Sequence, residues 1–221
     1  TRYYLNGVYL HPCIENEKNI LRAVATDGHR LAQIDIENPG LKNSFSGIIV
    51  PKKTVAELRM ILGNENDDIS ISISNNKIRF SNNSLTLTSK IVDGTFPDYK
   101  RVIPINNDKK LKVNASEFSE AVDRVSTVSS ERSRAVKLTL RPGSLQLSVN
   151  SPENGKAEDE ILVNYDQDNL EIGFNARYLQ ELTSQVDGKN VEFSFKSSGD
   201  PALMRDVDDE GAIYVVMPMR V

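Results

Sequence analysis

Cysteine and histidine are nearly absent: Cys13 stands alone, and His11 and His29 are the only histidines in 221 residues. A single cysteine excludes an intrachain disulfide and any cysteine-rich zinc site, and it fits a reducing cytoplasm. Long apolar runs are also missing. No stretch approaches the roughly 20 residues that a membrane-spanning helix needs, so no membrane partner is expected. The opening residues, Thr1-Arg2-Tyr3-Tyr4-Leu5-Asn6-Gly7, lack the charged and apolar blocks of a signal peptide. They read as the middle of a folded region, so a fragment of a longer protein is expected.

Excess positive charge is missing too. The net charge is -4. Residues 1–106 hold 13 Lys and Arg against 11 Asp and Glu, and residues 107–221 hold 14 against 20. Neither half is a basic nucleic-acid module by bulk charge. A nucleic-acid contact would therefore rest on local charge and would be loose. No glycine-rich phosphate loop of the Walker type is present. An enzyme acting on nucleic acid would need clustered carboxylates or an activated nucleophile. The one carboxylate run, Asp206, Asp208, Asp209 and Glu210, reads as a solvated turn before a last strand.

What is present is a series of short alternating runs. Ile69-Ser70-Ile71-Ser72-Ile73 is a period-2 strand. Asn75-Asn76 and Asn82-Asn83 turn it into Lys77–Phe80 and Leu85–Thr88, a β-meander. Val136–Leu140, a Pro142-Gly143 turn and Leu145–Val149 repeat the style. Three helices interrupt the strands. The first is expected from Pro51, a favoured first helical residue, with Val55, Leu58, Ile61 and Leu62 on one face. The second starts at Asn114 with Glu117 three residues on, a capping-box-like start, and buries Phe118, Ala121, Val122 and Val125. The third starts at Asn175, with Tyr178, Leu179, Leu182 and Val186 inward.

An internal repeat organises these elements. Gly7-Val8-Tyr9-Leu10 matches Ala135-Val136-Lys137-Leu138 at an offset of 128, and Glu57-Leu58 matches Glu181-Leu182 at an offset of 124. So long a period means duplicated domains. The second copy has a helix at 114–128 ahead of its first hairpin and the first copy has none, so the first is expected to lack its opening strand and helix. The connector is expected at Arg101 to Lys110, which holds Pro104 and Asn106-Asn107. We place the domains at 1–106 and 107–221.

Four segments carry a specific resemblance: Arg2–Gly7, Ala25–Ala32 (ATDGHRLA), Val92–Tyr99 (VDGTFPDY) and the terminal Tyr214–Val221 (YVVMPMRV). In this order the chain resembles the second and third domains of the bacterial β sliding clamp family, the beta subunit of DNA polymerase III. The resemblance implies an α+β fold of tandem DNA-clamp domains, with antiparallel sheets outside and helices lining the inner face. It implies a non-enzymatic processivity factor without cofactor or metal. Its subunits form a head-to-tail homodimer ring around duplex DNA, held without sequence preference.

The resemblance also implies a groove between the two domains for short peptide motifs. Its ligands are the polymerase III alpha subunit, the clamp loader delta subunit, other polymerases and repair proteins. One wall is Asn175, Tyr178, Val215, Met217, Pro218, Met219 and Arg220. The other is Leu5, Thr26, Gly28, His29, Arg30 and Leu31, with Pro97, Arg101 and Val102. Thioether side chains re-pack around different ligands, arginines can pair with peptide carbonyls or acidic groups, and Gly28 allows close backbone approach. His29 then reads as a wall of this groove rather than a metal ligand, and Asp27 as structural. DNA-facing candidates are Lys52, Lys53 and Arg59 on the first helix, Arg124 on the second, Arg177 on the third, and Arg2, Tyr3 and Tyr4 in a loop. Thr127 and Val128 fall where the family meets its neighbouring subunit. The competing reading is a β-rich peptide adaptor that does not act on DNA.

Overall fold

The computed structural model describes residues 2–37, 45–62, 68–130 and 134–221. The chain divides into two compact units, Thr1–Asp27 with Gln33–Tyr99, and Gly28–Ala32 with Lys100–Val221. The division in the connecting region thus falls between Tyr99 and Lys100.

The first unit begins with a short 3-10 turn, Tyr3–Leu5. Strands β1 (Gly7–Glu15), β2 (Lys18–Thr26), β3 (Arg30–Glu37) and β4 (Ile48–Pro51) come after it. They lie in the order β4-β1-β2-β3, with β1 antiparallel to both β2 and β4. Helix α1 (Lys52–Leu62) comes next, and β5 (Ser70–Ile73), β6 (Lys77–Ser81) and β7 (Thr86–Lys90) make the expected meander. Pro51 is the last residue of β4 and not the first of the helix. It still sits where its missing N–H is harmless, at the strand-to-helix junction. Val55 and Leu58 pack on a small core of Ile48, Val50, Ile78 and Phe80, but Ile61 is exposed.

The second unit opens with β8 (Lys109–Asn114) and α2 (Ala115–Ser126). The Asn114 side chain caps α2 by accepting from the Glu117 N–H at 3.0 Å. Strands β9 (Ala135–Arg141), β10 (Ser144–Ser151), β11 (Gly155–Leu162) and β12 (Leu170–Asn175) form a sheet in the order β11-β10-β9-β12. Gly143 takes φ +79° in the expected two-residue turn between β9 and β10. Then come α3 (Ala176–Thr183), β13 (Asn190–Phe195), β14 (Ala202–Asp206) and β15 (Ala212–Val216), with the order β15-β14-β13-β8. The core gathers Phe118, Ala121, Val122 and Val125 of α2 against alternate residues of β9 and β10, including Leu138, Leu140, Leu145 and Leu147. Val186 lies beyond the end of α3 yet packs on the same core.

The two units share one register. Gly7, Val8, Tyr9 and Leu10 of β1 pair with Pro51, Val50, Ile49 and Ile48 of β4. Ala135, Val136, Lys137 and Leu138 of β9 pair with Asn175, Phe174, Gly173 and Ile172 of β12. The sequence offsets of 128 and 124 are thus the two strands of one duplicated pairing. The elements β8 and α2 have no counterpart among the first unit's described residues, and Ile14, Ile34 and Ile36 are exposed there.

A polar network that composition does not suggest lies in the first unit. Arg22 is buried and donates to both oxygens of Asp35, at 2.7 and 2.6 Å, and to Glu15 at 2.8 Å. The Asp35 bond pushes the Arg22 pKa further above its usual value. His11 Nε2 and the Tyr99 hydroxyl lie 2.8 Å apart, and Phe96 stacks on Tyr9 with centroids 4.8 Å apart. Removing one partner of a buried pair leaves a charge unpaired, which costs about 3–5 kcal/mol. Arg22→Met should therefore destabilise the first unit by about that amount, read as a lower urea midpoint for its unfolding.

Candidate functional site

The C-terminal tail organises the richest cluster of expected site residues. Strand β15 delivers Tyr214 and Val216 into the core of the second unit, and Val215 between them is also buried. Beyond it the backbone is held at two points. The Met217 N–H donates to the His29 carbonyl at 2.9 Å, and the Met219 N–H donates to the Gly173 carbonyl at 2.8 Å. Pro218, between them, has no N–H to leave unsatisfied. A chain end normally frays; this one is tied down while its side chains stay accessible. Met217 and Met219 are each 37% exposed, and Arg220 is exposed.

Gly173 makes the close approach possible. A Cβ there would sit 2.6 Å from the Met219 carbonyl oxygen and 2.4 Å from Val221 Cγ1. Gly28, with φ +89°, sits in the left-handed region that glycine tolerates best, one residue before His29.

Arg30 and Tyr178 form the neighbouring feature. The Arg30 guanidinium lies 4.4 Å from the centroid of the Tyr178 ring, a cation–π stack. Tyr178 is placed by α3, whose cap Asn175 accepts from the Arg177 and Tyr178 N–H groups at 3.0 and 3.4 Å. Arg30 also pairs with Glu181 of α3. The other Glu181 oxygen accepts from Arg177 Nε at 2.6 Å. Arg177 chiefly, and then Arg30, hold the Glu181 carboxyl below its usual pKa, against the opposing effect of burial.

His29, Arg30, Leu31, Arg101, Val102, Asn175, Tyr178, Val215 and Met217 to Arg220 all belong to the second unit. Leu5, Thr26 and Pro97 belong to the first. Leu31 and Val215 are buried, His29 and Val102 are exposed, and Arg101 lies on the 3-10 turn Tyr99–Val102. A cavity of about 1200 Å³ over β9, β10 and β12 has Pro218–Val221 on its rim. Its lining is mixed, with Lys137, Thr139, Gln146 and Ser148 beside Val149 and Ile172. Met219 of the tail lines it and Met217 does not.

The expected DNA-facing cations fall into two groups. Lys52, Lys53 and Arg59 are exposed on α1 and form no ion pair with a described residue. Arg124 donates to Asp159 at 2.8 Å and lies 3.8 Å from Glu120, and Arg177 is paired with Glu181. Their charges are thus partly neutralised inside the unit. Tyr3 is exposed and meets Tyr4 edge to face at 5.8 Å, beside exposed Arg2. Thr127 caps the end of α2 and donates to the Arg124 carbonyl at 2.8 Å, while Val128 packs on the core.

A further expectation fails. Asp206 is not solvated: it is the buried last residue of β14 and accepts from the Gly188 and Asp208 N–H groups at 3.0 and 2.9 Å. It organises the turn, satisfying backbone donors that the loop would otherwise bury. Among the described residues, no three His, Cys, Asp or Glu side chains are grouped to hold a metal ion, and no helix is long and apolar enough to cross a membrane. Glu181, which joins Arg30 to Arg177, was not among the expected residues. Its one sequence signal is its place a turn after Arg177 on α3.

Comparison with known proteins places this geometry. Residues 1–98 match the family of the DNA polymerase III beta subunit, central domain, and residues 100–220 match the C-terminal domain of the same subunit. The chain is 47% identical over 221 residues to the beta sliding clamp of Caulobacter vibrioides, covering all of this chain and 59% of the relative. It is 38% identical over 220 residues to the beta sliding clamp of Escherichia coli, with the same coverage. Among solved structures, the sliding clamp of Bartonella birtlesii bound to griselimycin superposes with a TM-score of 0.95 at 51% identity, over all of this chain and 59% of that one. The chain therefore spans about three-fifths of the length of these relatives.

Gly173→Ala should push Met219 and Val221 away from β12. Loss of a tertiary amide bond opens a chain end locally. The expected result is faster hydrogen exchange at the Met219 amide, with the Leu138 and Leu147 amides unchanged.

Proposed function

Since the chain belongs to the DNA polymerase III beta subunit family, matching its central and C-terminal domains, we propose that it is part of a DNA sliding clamp. In this reading it tethers DNA polymerase III and other proteins through a peptide-binding surface built around its C-terminal tail. The observation that carries this is the tail itself: its backbone is fixed to His29 and Gly173 while Met217, Met219 and Arg220 face outward. A fixed backbone limits the ordering lost on binding, and mobile thioethers accept ligands of different shape. The Arg30–Tyr178 stack beside it offers a flat face and hydrogen-bond donors to a peptide.

The ligands are short motifs of the polymerase III alpha subunit, the clamp loader delta subunit, other polymerases and repair proteins. In the whole protein, the clamp is a homodimer ring, cytoplasmic and without catalytic residues of its own; exposed Thr127 lies at the neighbouring subunit, with Val128 packed beneath it on the core. Duplex DNA passes through it. Lys52, Lys53 and Arg59 supply phosphate-directed charge, helped by Arg124, Arg177 and the Arg2-Tyr3-Tyr4 loop. Weak, sequence-independent contacts suit an object that must slide. Topology rather than affinity then provides retention, and tethering raises the polymerase's effective concentration at the primer end.

A labelled peptide carrying glutamine, leucine and phenylalanine should bind these residues. Deleting Met217–Val221 should weaken binding by more than about tenfold, as expected when the groups that fill a central pocket are lost. Retained affinity would show that the tail is not the site. Griselimycin, bound in the Bartonella birtlesii structure, should also bind this chain and compete with the peptide. The competing reading, an adaptor that ignores DNA, is separated by salt titration. Replacing Lys52, Lys53 and Arg59 with Gln in the whole clamp should flatten the salt dependence of DNA binding by about one unit of slope per lost phosphate contact. An unaltered slope would remove α1 from the DNA surface.

A further inference from the structure

The two surfaces proposed above meet at one carboxylate. Glu181 Oε1 accepts from Arg177 Nε at 2.6 Å, and Oε2 pairs with Arg30 Nη1. Arg30 stacks on Tyr178, beside the tail. Arg177 lies on the exposed side of α3, where phosphate contact is expected. We infer that Glu181 is a positioning residue that holds Arg30 on Tyr178 and couples peptide binding to whatever occupies Arg177. The inference rests on the sliding-clamp reading and deepens it.

The physical basis is competition for one charge. The positive charge of Arg177 offsets part of the pull of Glu181 on Arg30, and the carboxylate cannot be best aligned to both guanidiniums at once. When a phosphate takes Arg177, Glu181 is left to Arg30. The stack on Tyr178 is then held more firmly, and a peptide meets a surface that needs less ordering. Linkage makes the effect reciprocal, so a bound peptide that orders Arg30 releases Arg177 toward phosphate. The groups facing Glu181 are Arg30 and Arg177, and Tyr178 lies under Arg30. Both arginines stay charged at any ordinary pH, so the pH response of this triad belongs to Glu181. Its carboxyl lies below the usual 4.5 because Arg177 and Arg30 favour the charged form. The positioning effect is therefore fully present above that value and is lost as pH falls through the lower folded value.

Three variants test this with the same glutamine-leucine-phenylalanine peptide, amidated and free of titratable groups. Glu181→Gln keeps the shape and removes the charge; it should weaken binding about fivefold, a loss of preorganisation rather than of contact. Arg177→Gln touches no peptide; it should tighten binding about twofold, since Arg30 gains the whole carboxylate. In the double variant, the Arg177→Gln gain should vanish, a non-additive cycle. Wild-type affinity should fall as pH drops below 4.5, whereas that of Glu181→Gln should stay flat. A purely structural role for Glu181 predicts additive effects and the same pH profile in both proteins, and that result overturns the inference. An Arg177→Gln variant with wild-type affinity also overturns it. If the wild-type chain binds no peptide at all, the sliding-clamp reading of the tail fails first and the inference falls with it. Thermal unfolding of each variant separates loss of fold from loss of positioning.

Discussion

One backbone hydrogen bond recurs at the same place in both units and ties down the segment that leaves each last strand. In the first unit the Val92 N–H donates to the Ile49 carbonyl at 2.9 Å. In the second the Met219 N–H donates to the Gly173 carbonyl at 2.8 Å. Ile49 and Gly173 are the same position of the duplicated strand pairing. In each unit, then, the segment leaving the last strand is returned to the strand that precedes the helix. Beyond that bond the two units diverge. After Val92 the chain goes on to bury Phe96 and Tyr99 against Tyr9 and His11. Met219 is followed by exposed Arg220 and Val221. The same device closes a core in one unit and presents a rim in the other. Gly173 replaces the isoleucine of the first copy, and its missing side chain is what allows Val221 to lie so close.

The electrostatics show a similar division of labour. A chain of net charge -4 cannot hold DNA by bulk attraction. Its exposed cations are divided between those already paired, such as Arg124 with Asp159, and those on α1 that are not paired with a described residue. Exposed pairs are worth little to stability. Their consequence lies elsewhere: a neighbouring carboxylate lowers the net positive charge that each paired arginine presents to solvent. Under the proposed sliding function, tight contacts would be friction, and internal pairing is compatible with that proposal.

Much of this was legible in the residues. Alternation in Val136–Leu140 and Leu145–Val149 marks strands because one face must be buried, and the offsets of 124 and 128 emerge as register. Asn114 and Asn175 announce helix starts through side chains that cap locally. Local chemistry is readable because its partners are near in sequence. The roles of Asp206 and Glu181 were not readable for the opposite reason. Asp206 looks solvated among its acidic neighbours, yet it is needed by the Gly188 N–H, which only the β13–β14 pairing brings near. Glu181 looks like an ordinary helix-surface carboxylate with an i,i+4 arginine. Its second partner, Arg30, arrives from the far end of the chain through the contacts that place Gly28–Ala32 in the second unit. Arg22 is the same case: nothing in its neighbourhood in sequence foretells burial against Asp35.

These misses share a cause that bears on how the site works. Periodicity reports which side chains leave water; it does not report which polar groups are shared. A shared group is where two surfaces can influence each other without any movement of the backbone, because a carboxylate that turns toward one partner loses alignment with the other. Glu181 sits on a helix whose cap, core face and outer face are all fixed, by Asn175, by Leu179 and Leu182, and by Arg177. A rigid helix transmits no displacement, but it can carry a choice of partner. If the two proposed surfaces are coupled, a shift of one carboxylate between two arginines is therefore a simpler link between them than a change of shape.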